Sequence, residues 1–242
     1  MALAAYGDGT GSYAVAGQSF PMIMGFDYKR DADGRVIVNS VTGIPTKSDT
    51  ISYLGGANPV HKLGLDGSIE YKKFRLSITL EYRGGYSAYQ SMGGSLDWSG
   101  TSWRTAIYDR KSFIFPNSSY WDGTKYVANN AISIGNGNGN NGYWTDGINR
   151  GTSTNYMTSG DFWKVREVAL SYDLPTSVIG NKIFKGVTVS VQGRNLFVFM
   201  AKDNYYSDPE YSDAGSGSNG MGLTGMQSPP SRFYGASIKF KF

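Results

Sequence analysis

The sequence has no cysteine among its 242 residues. This excludes a disulfide framework and any thiolate metal site, and it leaves the compartment open on redox grounds. Charge is also scarce, at 17% of residues against a usual share of about 25%. The net charge is +4, and no run of Lys or Arg marks a nucleic-acid patch, so no nucleic-acid partner is expected. No stretch approaches about 18 consecutive apolar residues, which excludes a transmembrane helix. It does not exclude a barrel, whose alternating strands keep averaged hydropathy low while one face lies in lipid. Helical periodicity is nearly absent, and no repeat of 20–50 residues recurs. The opening "MALAAYGDGTGSYAVAGQSF" lacks the basic start and long apolar core of a signal peptide, so an exported chain with this start is expected to be a mature or truncated piece.

Glycine and aromatic residues are abundant instead. There are 33 glycines, about twice the average usage, and aromatics make up 14% of the chain, led by 18 tyrosines. Such a mixture disfavours disorder and suits strands, turns and ring-bearing surfaces. Period-two segments recur accordingly. In "HKLGLDGSIEYKKFRLSITLEYRGG", Leu63, Leu65, Gly67, Ile69 and Tyr71 share one face, and Phe74, Leu76, Ile78, Leu80 and Tyr82 resume it after a tight turn at Lys72-Lys73. Strands of about nine to eleven residues, tilted by ~40–45°, rise about 20–28 Å, which matches the apolar band of an outer-membrane barrel.

A second hairpin is predicted from "DFWKVREVALSYDLP" and "VTVSVQGRNLFVF". Its first half puts Val168, Leu170, Tyr172 and Leu174 on one face but Trp163 and Val165 on the other. A bulge near Arg166-Glu167 is therefore expected, because a one-residue slip flips every side chain. The final "RFYGASIKFKF" reads as the last strand, with Tyr234, Ala236, Ile238, Phe240 and Phe242 opposite Gly235, Ser237, Lys239 and Lys241. Connections alternate in length: the turns at Lys72-Lys73 and 175–186 are brief, whereas 112–160 and 201–231 are long. Short turns at one end and long loops at the other is the asymmetry of outer-membrane barrels.

Motifs that would carry chemistry are thin. "GNGNNG" (Gly137 to Gly142) has the glycine spacing of a dinucleotide loop but neither the strand before it nor the helix after it, and reads as a loop tip. "DADGR" (Asp31 to Arg35) reads as a tight turn rather than a calcium loop. "DNYYSDPEYSD" gathers Asp203, Asp208, Glu210 and Asp213, the weak calcium candidates, against a plain solvated loop. His61 is the only histidine, with nothing beside it to complete a Ser-His-Asp or zinc site, and is placed at a strand end. The chain is not expected to be an enzyme, and no cofactor is expected. The alternating polar positions matter more: Arg75, Glu81, Arg83, Lys164, Arg166 and Arg194 would line a lumen if the strands close, or face water on a sandwich.

At these residues the sequence resembles a family. "GDFWKVREVALSYDLP", "VTVSVQGRNLFVF", "DNYYSDPE" and "RFYGASIKFKF", in this order, together with "DADGRVIVNSVTGIP" and the first hairpin, resemble the C-terminal barrel region of SusC/RagA-type TonB-dependent outer-membrane transporters. The resemblance covers most of 17–242 and is loose within 86–160. It implies an all-β fold: part of an antiparallel transmembrane barrel, with 1–242 as a single C-terminal portion and 112–160 and 201–231 as extracellular loops. Family members carry a plug, a TonB-contacting segment and 22 strands, so this chain is expected to be a fragment or one piece of a split transporter.

The resemblance also implies function. The expected role is uptake of glycans or peptides across the outer membrane of a Gram-negative bacterium, with a SusD-like lipoprotein as lid. TonB would be reached only through an N-terminal region missing here. Tyr205, Tyr206 and Tyr211 are the extracellular-loop contacts, since rings offer flat apolar area at little rotamer cost. Tyr234, Phe240 and Phe242 form the assembly signal read by the barrel-insertion machinery, and closure of the last strand on the first would remove an exposed edge. Two rivals stand beside this reading: a small self-contained barrel acting as pore or adhesin, and a soluble glycan-binding β-sandwich.

Overall fold

A computed structural model describes residues 1–135, 141–145, 147–179, 183–210, 219–225 and 230–242. The chain is mostly β, and no helix among the described residues is long and apolar enough to cross a membrane. It divides into two units: 1–58, 86–159 and 210–227 form the first, and 59–85, 160–209 and 228–242 the second.

The second unit is one sheet of five long strands: β1 (His61–Tyr71), β2 (Phe74–Gly84), β3 (Phe162–Asp173), β4 (Gly186–Met200) and β5 (Phe233–Lys241). Their order is β5-β4-β3-β2-β1, antiparallel throughout. Nine to fifteen residues per strand is well above the five or six of an ordinary soluble sheet. β1 and β2 are joined by the two-residue turn Lys72-Lys73, with Lys72 in the left-handed region at φ 55°. The sheet is open, with β1 and β5 at its edges and no closed barrel among the described residues. The expected closure of the last strand on the first is therefore not seen within these five strands. Barrel closure takes enough tilted strands to complete a circle, and small barrels already use about eight.

Cross-strand pairing fixes which side chains share a face. Leu65, Leu80, Val165 and Phe197 lie side by side, as do Ile69, Leu76, Leu170, Val191 and Ala236. The register slips between Val165 and Glu167, so Arg166 is the extra residue against β2. The slip widens on β4, where Arg194 and Phe197 are consecutive partners and Asn195 takes φ 53°. The expected bulge is thus present, and it has one consequence. Trp163 and Val165 join Val168, Leu170 and Tyr172 on the same apolar face.

The first unit is built differently. Its strands are short, in one four-stranded sheet (Ala2–Ala5, Gly11–Tyr13, Met22–Gly25, Ser52–Gly56) and two three-stranded ones. The span 112–160, read from sequence as loop, contributes Ser118–Trp121, Tyr126–Ala128 and Met157–Ser159, with helical turns at Asn141–Thr145 and Gly147–Gly151. Two small apolar clusters form, one around Ile23, Tyr89, Tyr156 and Leu223, the other around Phe113, Ile134, Tyr143 and Trp144. At Gly222, φ is +82° and a Cβ would come within 2.6 Å of the Ala57 Cβ, so only glycine fits there.

A buried polar network completes this unit. Asp97 Oδ2 accepts from Arg104 Nη1 at 2.9 Å, Tyr156 OH at 3.0 Å and Asn149 Nδ2 at 3.1 Å. Asn155 Nδ2 donates in turn to Asn149 Oδ1 at 3.1 Å and to the Tyr28 hydroxyl at 2.7 Å, and that hydroxyl meets Tyr143 OH at 2.9 Å. Burial pushes the Tyr28 and Tyr143 phenols above their ordinary value. "DADGR" is a tight turn: Gly34 N–H donates to Asp31 O, and Asp33 and Arg35 N–H both donate to Asp31 Oδ1. Burial pulls the Asp31 carboxyl upward. Hydrogen bonding from Ser119 and Arg35, with the guanidinium charge, outweighs that and lowers it to about 2.

Candidate functional site

The two faces of the long sheet are chemically opposite. One presents Leu76, Ile78, Leu170, Val191, Ile238 and Phe240 to the outside, with Ile69 and Ile238 as much as 71% and 59% exposed. A monomeric soluble protein rarely exposes a contiguous apolar patch of more than a few hundred Å². Here the apolar surface runs across all five strands. It is unpartnered among the described residues.

The other face carries the predicted polar residues, tied in ion pairs. Arg75 pairs with Glu70 across the β1–β2 turn. Glu81 lies between two guanidiniums, with Arg83 Nε at 2.6 Å from Oε1 and Arg166 on Oε2. Arg194 Nε donates to Glu167 Oε2 at 2.7 Å across β3 and β4. Arg166, Glu167, Arg194, Gln192, Thr79 and Phe233 frame a concavity of about 610 Å³ on this face. The six basic and acidic positions picked by alternation therefore fall on one side of one sheet. Five of them cluster within β2 and β3 (Arg75, Glu81, Arg83, Lys164 and Arg166), with Arg194 next door on β4.

Lys164 differs from the rest. Its Nζ lies 2.7 Å from Asp208 Oδ2, and the two side chains are only 3% and 5% exposed. Asp208 thus meets a lysine rather than a cluster of carboxylates. Among the described residues no group of three or more His, Cys, Asp or Glu comes together, and Asp213 lies outside them. The same segment holds Tyr205 and Tyr206 with ring centres 4.4 Å apart and hydroxyls at 3.2 Å. Asn204 braces it, donating to Ser207 O at 2.9 Å. Tyr211 and most of "GNGNNG" lie outside the described residues.

At the other end of β5, Phe240 and Phe242 pack their rings on Phe184 at 4.9 and 5.3 Å between centres. Tyr234, opposite Gly193, is 76% exposed and Phe242 is 73% exposed. His61 is the first residue of β1, at a strand end as expected. Sequence reasoning missed two arrangements. It separated Lys164 from Asp208 by assigning one to a lumen and the other to calcium, and it overlooked the Asp97 network. Neither has a local signal, since each is assembled from residues tens of positions apart.

No protein-family model and no curated sequence matches the chain. Among solved structures, it is similar to a chain of the RagAB peptide importer in its closed-closed state, at a TM-score of 0.57 and 15% identity, over 97% of this chain and 25% of that one. A further structure of the RagAB peptide transporter gives 0.57 and 14% with the same coverage. The open-open state gives 0.52 and 14%, over all of this chain and 25% of the other. The chain thus spans about a quarter of those transporter chains, and at such identity the likeness is one of fold.

Proposed function

We propose that this chain is part of the barrel of a SusC/RagA-like, TonB-dependent outer-membrane transporter, with its apolar face toward lipid and its polar face toward the lumen. One observation carries the reading. Five strands long enough to cross the ~25 Å apolar band present an unpartnered apolar face on one side and an ion-paired face on the other. A sandwich would need to bury that apolar face, and it is exposed. The open edges of β1 and β5 suit continuation into further strands.

On this reading Arg75, Glu81, Arg83, Lys164, Arg166 and Arg194 line the solute path. The spans 112–160 and 201–231 are extracellular, and Tyr205, Tyr206 and Tyr211 meet substrate or a SusD-like lid. The cargo is a peptide or glycan, with peptide favoured by the similarity in fold to a peptide importer. Tyr234, Phe240 and Phe242 serve recognition by the barrel-insertion machinery. TonB is engaged by polypeptide outside these residues.

The lack of native cysteine makes the facing directly testable. Single cysteines at Ile78 and Thr79 are assembled into bilayers and treated with a water-soluble, membrane-impermeant maleimide. Thr79→Cys should label readily and Ile78→Cys should be protected by lipid. Equal labelling at the two adjacent positions overturns the assignment of faces.

A further inference from the structure

The end of the sheet that carries the short connections is lysine-rich and nearly free of acid. The turn between β1 and β2 is Lys72-Lys73. The connection from β3 to β4, 174–185, contains Lys182, which lies outside the described residues, and Lys185, with no Asp or Glu, and β5 ends through Lys239 and Lys241. Among the described residues, Lys72, Lys73, Lys185, Lys239 and Lys241 form no ion pair. The nearest acids are engaged: Glu70 holds Arg75, and Asp173 accepts a hydrogen bond from the Thr188 hydroxyl at 2.5 Å. Lys185 is held at the rim by its backbone, whose N–H donates to Lys241 O at 2.7 Å.

Rings border the same rim on the apolar side. Phe74 and Tyr172 pack at 4.4 Å between centres, and Phe184 gathers Phe240 and Phe242. The Lys72 ammonium lies 5.3 Å from the centre of the Tyr71 ring, so its stem runs over the apolar face. Rings at the edge of an apolar band, with ammonium groups just beyond, form the geometry of a bilayer interface: rings sit at the headgroup level and lysines reach past them into water. Unneutralised ammonium groups at that depth complement a negative surface.

We propose that the short-turn rim, through Lys72, Lys73 and Lys185, is a docking surface for the headgroups of anionic phospholipids. The inference rests on the membrane reading above and adds a lipid preference to it. Each lysine near an anionic surface contributes about fivefold in partitioning, from about 1 kcal/mol apiece, so the three together supply roughly a hundredfold. Lys239 and Lys241 alternate onto the polar face and are left out of the contact.

The test is flotation of the full chain with vesicles of phosphatidylcholine alone and of phosphatidylcholine with one-third phosphatidylglycerol. The variants are K72Q/K73Q/K185Q and a charge-matched control, K62Q/K111Q/K125Q. The expected result is association with both vesicles and a strong preference for the anionic ones. That preference should fall by about two orders of magnitude in the rim variant, stay in the control, and fade in 0.5 M salt as screening shortens to a few Å. Equal partitioning onto both vesicles by the parent chain overturns the inference while leaving the membrane reading standing. Association with neither overturns both. Equal loss in the control variant also overturns it, because the preference would then follow net charge and not the rim. Inorganic phosphate added at millimolar concentration should not compete; full competition would assign the lysines to a soluble anion and reject the lipid.

Discussion

The two units of this chain reach order by opposite routes. In the long sheet every strand has two environments, and alternation sorts the side chains between them. Its apolar residues, such as Ile69 and Ile238, remain outside, and Glu81, Arg83, Glu167 and Arg194 are held in ion pairs on the opposite face. In the first unit the apolar clusters are small, and a buried chain of hydrogen bonds from Asp97 to Tyr143 stands where a larger apolar core would be. The difference teaches where each unit is vulnerable. The sheet depends on what covers its apolar face, whereas the first unit depends on the completeness of a polar network, and a half-satisfied network is costly.

The largest effect should come from breaking that network. Asp97 is fully buried and serves three donors through one oxygen, with the Arg104 guanidinium beside it. Asp97→Ala removes the carboxylate that faces the largely buried Arg104 guanidinium, a change that costs about 3–5 kcal/mol. Near-ultraviolet circular dichroism should lose the signal of the packed tyrosines Tyr28, Tyr143 and Tyr156, while far-ultraviolet strand signal from the long sheet persists. Coincident loss of both signals would show that the two units do not differ in this way.

The next effect belongs to the sheet. Ile78→Arg places a charge in the middle of the apolar face, where, on the proposed facing toward lipid, it should cost about 2–4 kcal/mol. Thr79→Arg puts the same charge on the polar face beside Asp66, which now accepts from the Thr79 hydroxyl at 2.7 Å, and should cost under about 1 kcal/mol. Equilibrium refolding into bilayers measures both. Similar costs at adjacent residues would erase the distinction between faces.

These two regions also differ in how far the sequence announces them. Alternation placed Leu63 through Tyr82 on common faces, and the break in phase at Trp163 and Val165 located the bulge that Arg166 forms. Strands of eleven residues repeat a period of two often enough to be read. In the first unit a strand such as Val36–Ile37 is too short to show any period. Its network joins residues as distant as Tyr28 and Asn155, 127 positions apart, and hydrogen-bond partners at that separation leave no local trace. The candidate site divides the same way. The polar face was legible because its residues alternate. The Lys164–Asp208 pair was not, because it depends on how the connection after β4 folds back over β3. Closure was expected from the terminal strand alone, but an edge says only that a partner is needed and not which strand supplies it.

The smallest effect tests whether the first unit's polar contacts respond to acid, through Asp31. Its carboxyl is lowered from an ordinary 3.8 to about 2 by hydrogen bonding and by Arg35. A carboxylate with a depressed value in the folded chain adds stability above its unfolded value, and that contribution is lost as pH falls from about 4 toward 2. Down to about pH 3 the Asp33 and Arg35 amides should therefore keep the shifts of groups that donate to a carboxylate, and then move with a midpoint near 2. Asp31→Asn keeps an acceptor oxygen for these amides but removes the charge that faces Arg35, so the transition should vanish while the turn stays folded at neutral pH. Amide chemical shifts followed by NMR between pH 5 and 1.5 report this directly. A midpoint near 3.8 would mean that the turn holds Asp31 no more tightly than water does. The tight wiring of the first unit would then be confined to its buried network, and the contrast with the sheet would rest on Asp97 and its partners alone.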